Sequence, residues 1–485
     1  MSISQALSNA VAGLGVATRA STTVSSNVAN ALDESYARRE VEIGSVIRGA
    51  TGSGARVISV TRAVDTALVT DRRLAQASAA GEETQAAWLL GLEEAIGSSD
   101  SAASLTGRIA ALEAAITTAA SLPQSQSRLE TVLDAASKLA GQINAISDTV
   151  QEARGTADAA IASDVARLND ALAGVKDLND LIYARSAAGQ DVNDLLDARQ
   201  KLVDGIAQVV PIKEMAREGG RVALYTETGT MLVDSRAVTF GFSAATAVAA
   251  GMVQGSNPGD LSGLTIDGRA IDTASATGAI AGGRLAANFA IRDEGGVAAQ
   301  TRIDSLARNL IDRFADPATD ATLAGQAGLF TDGGTLASTG NDAGLASRLA
   351  INLRADPGKG GDITRLRDGL WAGAAGQAGD ATGLNALAGA LTRSTTAPTG
   401  MAAPAGDFAA FAGNFLSLTA TARLRSDEQS TYLTARATTL RERELANGVN
   451  QDDEMQKLLL IEKSYAANAK VLQTVDEMLA TILEI

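Results

Sequence analysis

The chain has 485 residues and a formal charge of −15; 46% of its residues are hydrophobic but only 3% aromatic. Such an acidic chain is a poor candidate for gripping phosphate backbones or anionic lipid, and its Ala-, Leu- and Val-rich apolar content suits packed helices better than a cofactor pocket. It contains no Cys and no His, which excludes disulfides, Cys/His zinc sites and every nucleophile–histidine mechanism, while its length fits two to four domains.

In chain order, the first pattern is an apolar stripe. Ile3, Leu7, Ala10, Leu14, Ala17, Ser21, Val24 and Val28 step by four and three, the spacing of one helical face. The first charged side chain is Arg19, so no basic region precedes a compact apolar core, and a cleavable secretory signal is not expected. No apolar run reaches the length of a membrane span. Val41 and Ile43 then suggest an extended segment, and GSGARVISVTR, with Val57, Ser59 and Thr61 alternating against Ile58 and Val60, predicts a strand after a glycine turn.

Helical spacing dominates the next stretch. Leu105, Ile109, Leu112 and Ile116 form one stripe, which SLPQSQ around Pro123 ends. Leu129, Val132, Ala136, Leu139, Ile143, Ile146 and Val150 form another, continued by Ile161, Val165, Leu168, Leu172 and Val175. From Pro211 the texture changes to alternation, Gly-Gly and Thr-Gly turns and β-branched residues, predicting a β-rich domain over 207–283. Helix returns at GGRLAANFAIRD and IDSLARNLIDRF. Residues 317–404 are Gly-, Ala- and Thr-rich, predicting loops with short elements and leaving their domain membership open. A long helix then carries Phe408, Phe411, Phe415, Leu418 and Ala422 on one face.

The last helix, predicted over 450–485, is about 54 Å long. Leu458, Ile461, Tyr465, Leu472, Val475, Leu479 and Ile482 step by three and four, with Asn468 in register. Two such stripes at opposite ends of one chain predict mutual pairing. The fold class expected is mainly α with an inserted β-rich domain. The N- and C-terminal helices (1–35 and 449–485) pair as a coiled coil. A helical core is drawn from 36–206, 284–316 and 405–448, and 207–283 forms an outer β-rich domain.

No catalytic constellation stands out. DPGKGGD has Pro357, Gly358 and Lys359, but Gly360 where a phosphate loop needs Ser or Thr, and Leu353 where it needs glycine. Asp452, Asp453 and Glu454 could suggest a metal cluster. Carboxylates at a helix start more often complement its dipole, and Asn450 before them reads as an N-cap. Asp170, Asp177 and Asp180 read as a solvated face. No cofactor, metal or catalytic residue is expected.

Two motifs carry a family resemblance. SSNVANALDESYARREV resembles the SNNxxNxxxxGYxR signature of the bacterial flagellar axial proteins. Ser25, Asn27, Asn30, Tyr36 and Arg38 match it, with Ser26 in place of its first asparagine and Ser35 in place of its glycine. GVNQDDEMQKLLLIEKSYAANAKVLQT is similar to the same family's VNxxEExxxLxxxQxAYxANAxVxxT signature. Val449, Asn450, Glu454, Leu458, Tyr465, Ala467, Asn468, Ala469, Val471 and Thr474 match. NDLLDARQKLVDGIAQVV and GGRLAANFAIRD resemble central helices of the hook-associated branch.

The resemblance implies a structural, non-enzymatic subunit at the junction between flagellar hook and filament. It also implies secretion by the flagellar type III apparatus to the extracellular flagellum. The expected partners are further copies of the chain, the hook protein, a second junction protein on the filament side and a cytoplasmic export chaperone, with no nucleic acid and no membrane. The expected assembly interface is Leu7, Leu14, Val24, Asn27, Val28, Asn30, Tyr36 and Arg38 with Leu458, Ile461, Tyr465, Asn468, Leu472, Val475, Leu479 and Ile482. The alternatives are a hook or distal rod subunit, which would lack the 193–210 helix, and a carboxylate-dependent cell-wall hydrolase on an axial scaffold, which would need two facing carboxylates.

Overall fold

The structure is a computed structural model and describes residues 3–48, 51–255, 257, 259–275, 277–402 and 404–483. It is mainly helical, with several small sheets. In chain order, α1 (Ile3–Ala29) leads to the antiparallel hairpin β1 (Arg39–Arg48) and β2 (Thr51–Arg62). Four helices follow: α2 (Thr66–Ile96), α3 (Leu105–Ala120), α4 (Gln126–Ala187) and α5 (Asn193–Val209). The strands β3 (Ile212–Ala216), β4 (Val222–Thr226) and β5 (Met231–Val233) form one antiparallel sheet; β6 (Phe240–Gly241), β7 (Thr265–Ile266) and β8 (Arg269–Ala270) form another. Helices α6 (Arg284–Ala290) and α7 (Gly296–Phe314) are joined through a π-helical turn, Ile291–Gly295. Short elements fill the next hundred residues: β9 (Phe330–Asp332), α8 (Leu345–Arg348), β10 (Leu349–Ile351), α9 (Arg365–Asp368), α10 (Thr382–Thr392), β11 (Thr395–Thr396) and β12 (Ala405–Gly406). The chain closes with α11 (Phe408–Ala446) and α12 (Gln451–Leu483).

The chain divides into two compact units. The first holds residues 1–79, 167–239 and 433–485; the second holds 80–166 and 240–432. The 207–283 segment, which reads in sequence as one β-rich block, is divided between them at 239/240. Its first sheet lies in the first unit and its second sheet in the second. Residues 317–404 lie wholly in the second unit.

The second unit is built on the helical stripes. Leu105, Ile109, Leu112 and Ile116 of α3 and Leu129, Val132, Ala136, Leu139, Ile143, Ile146 and Val150 of α4 are all buried. The Ser104 hydroxyl accepts from the Gly107 N–H at 3.1 Å and caps α3, and the turn containing Pro123 separates it from α4. All eight phenylalanines and both tryptophans of the chain fall in this unit. Phe408, Phe411 and Phe415 of α11 are fully buried, and Phe314 meets Phe330 edge-on with centroids 4.9 Å apart. The loop-rich 317–404 segment adds Phe330, Leu345, Leu366, Leu384 and Leu391 to the same core.

Irregular backbone here is satisfied by buried arginines. Arg154 donates to the carbonyls of Arg292, Ala249 and Met252. Arg313 donates to those of Ala390 and Gly406 and to the Thr395 hydroxyl. Arg292 pairs with Asp158 at 2.7 Å and lies over the rings of Phe242 and Phe289. A guanidinium has five donors in a rigid fork, so one side chain can satisfy several carbonyls that no helix or sheet would pair.

The first unit has no phenylalanine or tryptophan. Its contacts rest on aliphatic residues such as Leu172, Ile182, Ile206 and Leu224 and on ion-pair networks. Arg72 and Arg73 of α2 share Asp204 of α5; Arg73 also pairs with Glu214 of β3 and Arg72 with Glu444 of α11. Ala75 and Ala79 pack against Leu433 and Ala437.

Candidate assembly interface

The interface residues begin on α1. Ala10, Ala17 and Val24 recur every seven residues and are buried, and Asn27 continues their face at 1% exposure. That face lies against α12. Gly13 is so close to Asn468 that a Cβ there would sit 2.8 Å from the amide of that side chain. Asn27 donates to the Glu454 carboxylate at 2.9 Å. Moving fourteen residues forward on α1 moves the contact fourteen residues back on α12, so the two helices run antiparallel in constant register.

Asn27 is the node where α1, the following loop, β1 and α12 meet. Its Nδ2 donates both to Glu454 Oε2 and to the Arg39 carbonyl, each at 2.9 Å. Its Oδ1 accepts from the Tyr36 hydroxyl at 2.9 Å and the Arg39 N–H at 3.0 Å. Every hydrogen-bonding atom of the buried amide is thus used, which fixes the path of the chain as it reverses from helix to strand. Glu454, at 1% exposure, is neutralised from the other side by Lys457 at 2.6 Å.

The loop between α1 and β1 is set locally. Asp33 Oδ1 accepts from both the backbone N–H and the hydroxyl of Ser35, an Asx-type turn. Ser35 is not among the residues with positive φ, so the turn accepts serine where the flagellar signature has glycine. These two hydrogen bonds hold the Asp33 carboxyl below its ordinary pKa. Asn30 donates to the Ser26 carbonyl.

Arg38, expected at the interface, pairs at 2.7 Å with its strand neighbour Glu40. It is Arg39 that carries the contacts. Its guanidinium lies over the Tyr36 ring, 4.8 Å from the centroid, and bonds to Asp194 and Asp197 of α5. Asp197 also accepts from Arg62 of β2 at 2.7 Å, so one carboxylate ties both strands of the hairpin to α5. Burial raises the Tyr36 pKa, keeping its hydroxyl a donor to Asn27.

The expected residues fall into three groups. Val24, Asn27 and Val475 are buried, and Leu14, Val28, Tyr36, Arg38, Leu458, Ile461, Asn468 and Leu472 are partly buried. Leu7, Tyr465, Leu479 and Ile482 are exposed, and Asn30 lies with them on the surface. Sequence reading missed Arg39, Arg62, Asp197 and Glu454. Only Glu454 left a signal, through its place in the C-terminal signature. It also missed a second apolar line on α12, apart from Ile482, which it placed in the first stripe. Leu460, Ala467, Val471, Met478 and Ile482 recur at intervals of seven, four, seven and four residues, roughly a quarter-turn around the helix from the α1-facing line, and all are exposed.

The polar clusters noted in sequence have local explanations. Asn450 Oδ1 caps α12, accepting from Asp452 N at 3.0 Å and Asp453 N at 3.4 Å. Glu454 turns inward to Asn27, so the three adjacent carboxylates do not converge, and no cluster able to hold a metal is present among the described residues. Pro357–Lys359 is a 3-10 turn capped by Asp356. Asp177 and Asp180 are exposed and share Lys176. No helix among the described residues is long and apolar enough to cross a membrane.

Comparison with known proteins follows the same layout. Residues 91–330 match the family model of the flagellar hook-associated protein FlgK helical domain, and residues 446–485 match that of the flagellar basal body rod FlgEFG protein C-terminal segment. Flagellar hook-associated protein 1 of Salmonella typhimurium is 26% identical over 238 residues, which is 48% of this chain and 43% of that protein. The Escherichia coli protein of the same name is 23% identical over the same coverage. The matched region is thus less than half the length of these relatives. The hook junction protein FlgK from Burkholderia pseudomallei superposes with a TM-score of 0.44 at 20% identity, over 55% of this chain and 47% of that one.

A helical hook-associated middle joined to a rod-type C-terminal segment defines a flagellar axial protein. Over residues 91–330 and 446–485 the chain belongs to the families of these flagellar axial segments, and over 238 residues it is similar to flagellar hook-associated protein 1.

Proposed function

We propose that this chain is a structural subunit of the junction between flagellar hook and filament, assembled outside the cell through its two terminal helices. The observation that carries the proposal is the exposed apolar line of α12: Leu460, Val471, Met478 and Ile482 are between 43% and 65% exposed in the single chain. Burying such a side chain is worth roughly 1.5–3 kcal/mol, so a line of them favours association with neighbouring copies. In this reading α1 and α12 form a coiled-coil pair within one subunit, and Leu7, Tyr465, Leu479 and Ile482 complete contacts between subunits. The hook protein below, a second junction protein above, and an export chaperone covering α12 before secretion are the partners this role requires.

The same chemistry makes a hydrolase the weaker reading. The cluster Asp452, Asp453 and Glu454 divides between helix cap and buried amide partner. The helix α5 at Asn193–Val209, absent from a hook or distal rod subunit on the sequence reading, supports the junction role over that alternative.

The test is to delete the gene and to image a labelled copy in complemented cells. Deletion cells are expected to keep hooks, lack filaments and release filament subunits into the medium, with label in complemented cells confined to the hook–filament boundary. Label along the hook or at the rod, or normal filaments in the deletion strain, would refute the junction role.

A further inference from the structure

The first unit contains a cavity of about 610 Å³ that the assembly reading does not use. It is lined by the end of β2, the start of α2, one face of α5 and the β3–β4 connection. Five arginines line it, Arg62, Arg73, Arg199, Arg217 and Arg221, against a single carboxylate, Glu214. In a chain of net charge −15 this is a local reversal of sign.

The five are not equivalent. Arg62 is paired with Asp197, Arg73 with Asp204 and Glu214, and Arg217 with Asp234. Arg199 has no carboxylate partner among the described residues, although it is 93% buried, at 7% exposure. Its Nη1 donates to two neutral oxygens, Asn179 Oδ1 at 2.9 Å and the Gly220 carbonyl at 2.7 Å. A guanidinium carries five N–H donors, and the remaining ones on Arg199 have no protein acceptor among the described contacts. Burial, the largest influence, lowers the Arg199 pKa; the charges of Arg62 and Arg73 push the same way and Glu214 opposes them. Nearer the surface, Arg221 stacks on Tyr183 at 4.7 Å and donates to the Glu218 carbonyl, again with no carboxylate partner among the described residues.

A buried guanidinium held by neutral acceptors, with donors to spare and a cavity before it, is matched by an oxyanion, which takes a paired N–H fork and offsets the desolvated charge. The cavity volume lies within the ordinary range for small-molecule sites. We propose that this cavity binds a free small polyanion of the polycarboxylate or phosphate class, held by Arg199 at its floor and Arg221 nearer its mouth. Arg73 and Arg62, already neutralised, shape the site without repelling the ligand. Bound there, the anion links α5 to the β3–β4 connection.

The probes are citrate and inorganic phosphate, titrated into the full-length chain by calorimetry at constant ionic strength, with chloride as the control. One saturable site per chain is expected for citrate or phosphate, with none for chloride. Arg221→Gln removes a cation that makes no ion pair, so the apo melting temperature is expected to hold while affinity falls about tenfold, the size of one charge-assisted hydrogen bond. Arg199→Lys is expected to weaken binding further. Should that variant fold poorly, the Arg221→Gln comparison decides alone. No saturable binding of either probe to the wild-type chain, or equal binding by Arg221→Gln, overturns the proposal. A site that appears only on association of copies, and that an acidic segment of the neighbouring copy fills, would show as probe binding absent from the monomer, and it overturns the free-ligand assignment as well.

Discussion

Asn27 joins four partners through one amide: Glu454, Tyr36, and the N–H and carbonyl of Arg39. Asn27→Ala takes the partner from one oxygen of the buried Glu454 carboxylate and from two backbone groups of Arg39 at once, and the cost of unsatisfied buried groups sets the expected loss at about 2–4 kcal/mol in denaturant unfolding. A loss under about 0.5 kcal/mol, typical of a surface substitution, would mean that the node is not a structural anchor. Asp304 of α7 presents the opposite electrostatic case. It accepts from the N–H groups of Gly344 and Ala346 and from Gln300, which lower its pKa, but burial outweighs them and raises it above 3.8. A carboxyl raised in the folded state contributes stability that is fully present below its unfolded value and is lost as pH rises through the native value. A carboxyl-carbon NMR titration is expected to give Asp304 a midpoint above 3.8; a midpoint at or below it would show that the hydrogen bonds outweigh burial.

At the scale of the element, α12 bears two apolar lines with different tasks. The line facing α1 includes Leu472 and Val475; the other, Leu460 to Ile482, faces solvent in the single chain. The double change Leu460→Asp with Val471→Asp is expected to leave monomer stability within about 0.5 kcal/mol and to abolish motility on complementation. Leu472→Asp, on the α1 side, is expected to weaken the helix pair as well as assembly, read as earlier thermal loss of the terminal helices. Swimming by the double variant at wild-type speed would remove the second line from the interface. The stripes of α3, of α4 as far as Val150 and of α11 at Phe408–Phe415 were legible in sequence because each of these segments buries a continuous face in one core. The second line of α12 was not. Its Ala467 and the intervening Thr474 weaken the apolar signal, and a period of 3.6 tolerates two overlapping lines on one helix.

Across the whole molecule, phenylalanine and tryptophan are unevenly shared. All phenylalanines and tryptophans serve the second unit, whereas α12 buries only Glu454 and Val475 among its described residues. Limited proteolysis of dilute monomer is therefore expected to trim α12 and α1 first and to leave a core within about 60–440, since segments with few buried contacts open most easily. Protection of both ends equal to that of the core would argue against helices that depend on assembly. By itself the sequence determined the class of this protein. Its lack of His and Cys narrowed the chemistry, heptad spacing marked the helices, and two terminal signatures carried the family. Those features are local, repeating every few residues or written in one contiguous motif. Tertiary structure alone decided that Arg39 rather than Arg38 meets Tyr36, that Glu454 turns inward to Asn27 while Asp452 and Asp453 stay outside, and that the loop-rich 317–404 segment joins the second core. Neighbouring residues on a strand point to opposite faces, and neighbouring carboxylates on a helix point about 100° apart. Which of them finds a partner depends on an element hundreds of residues away, and no local spacing encodes that.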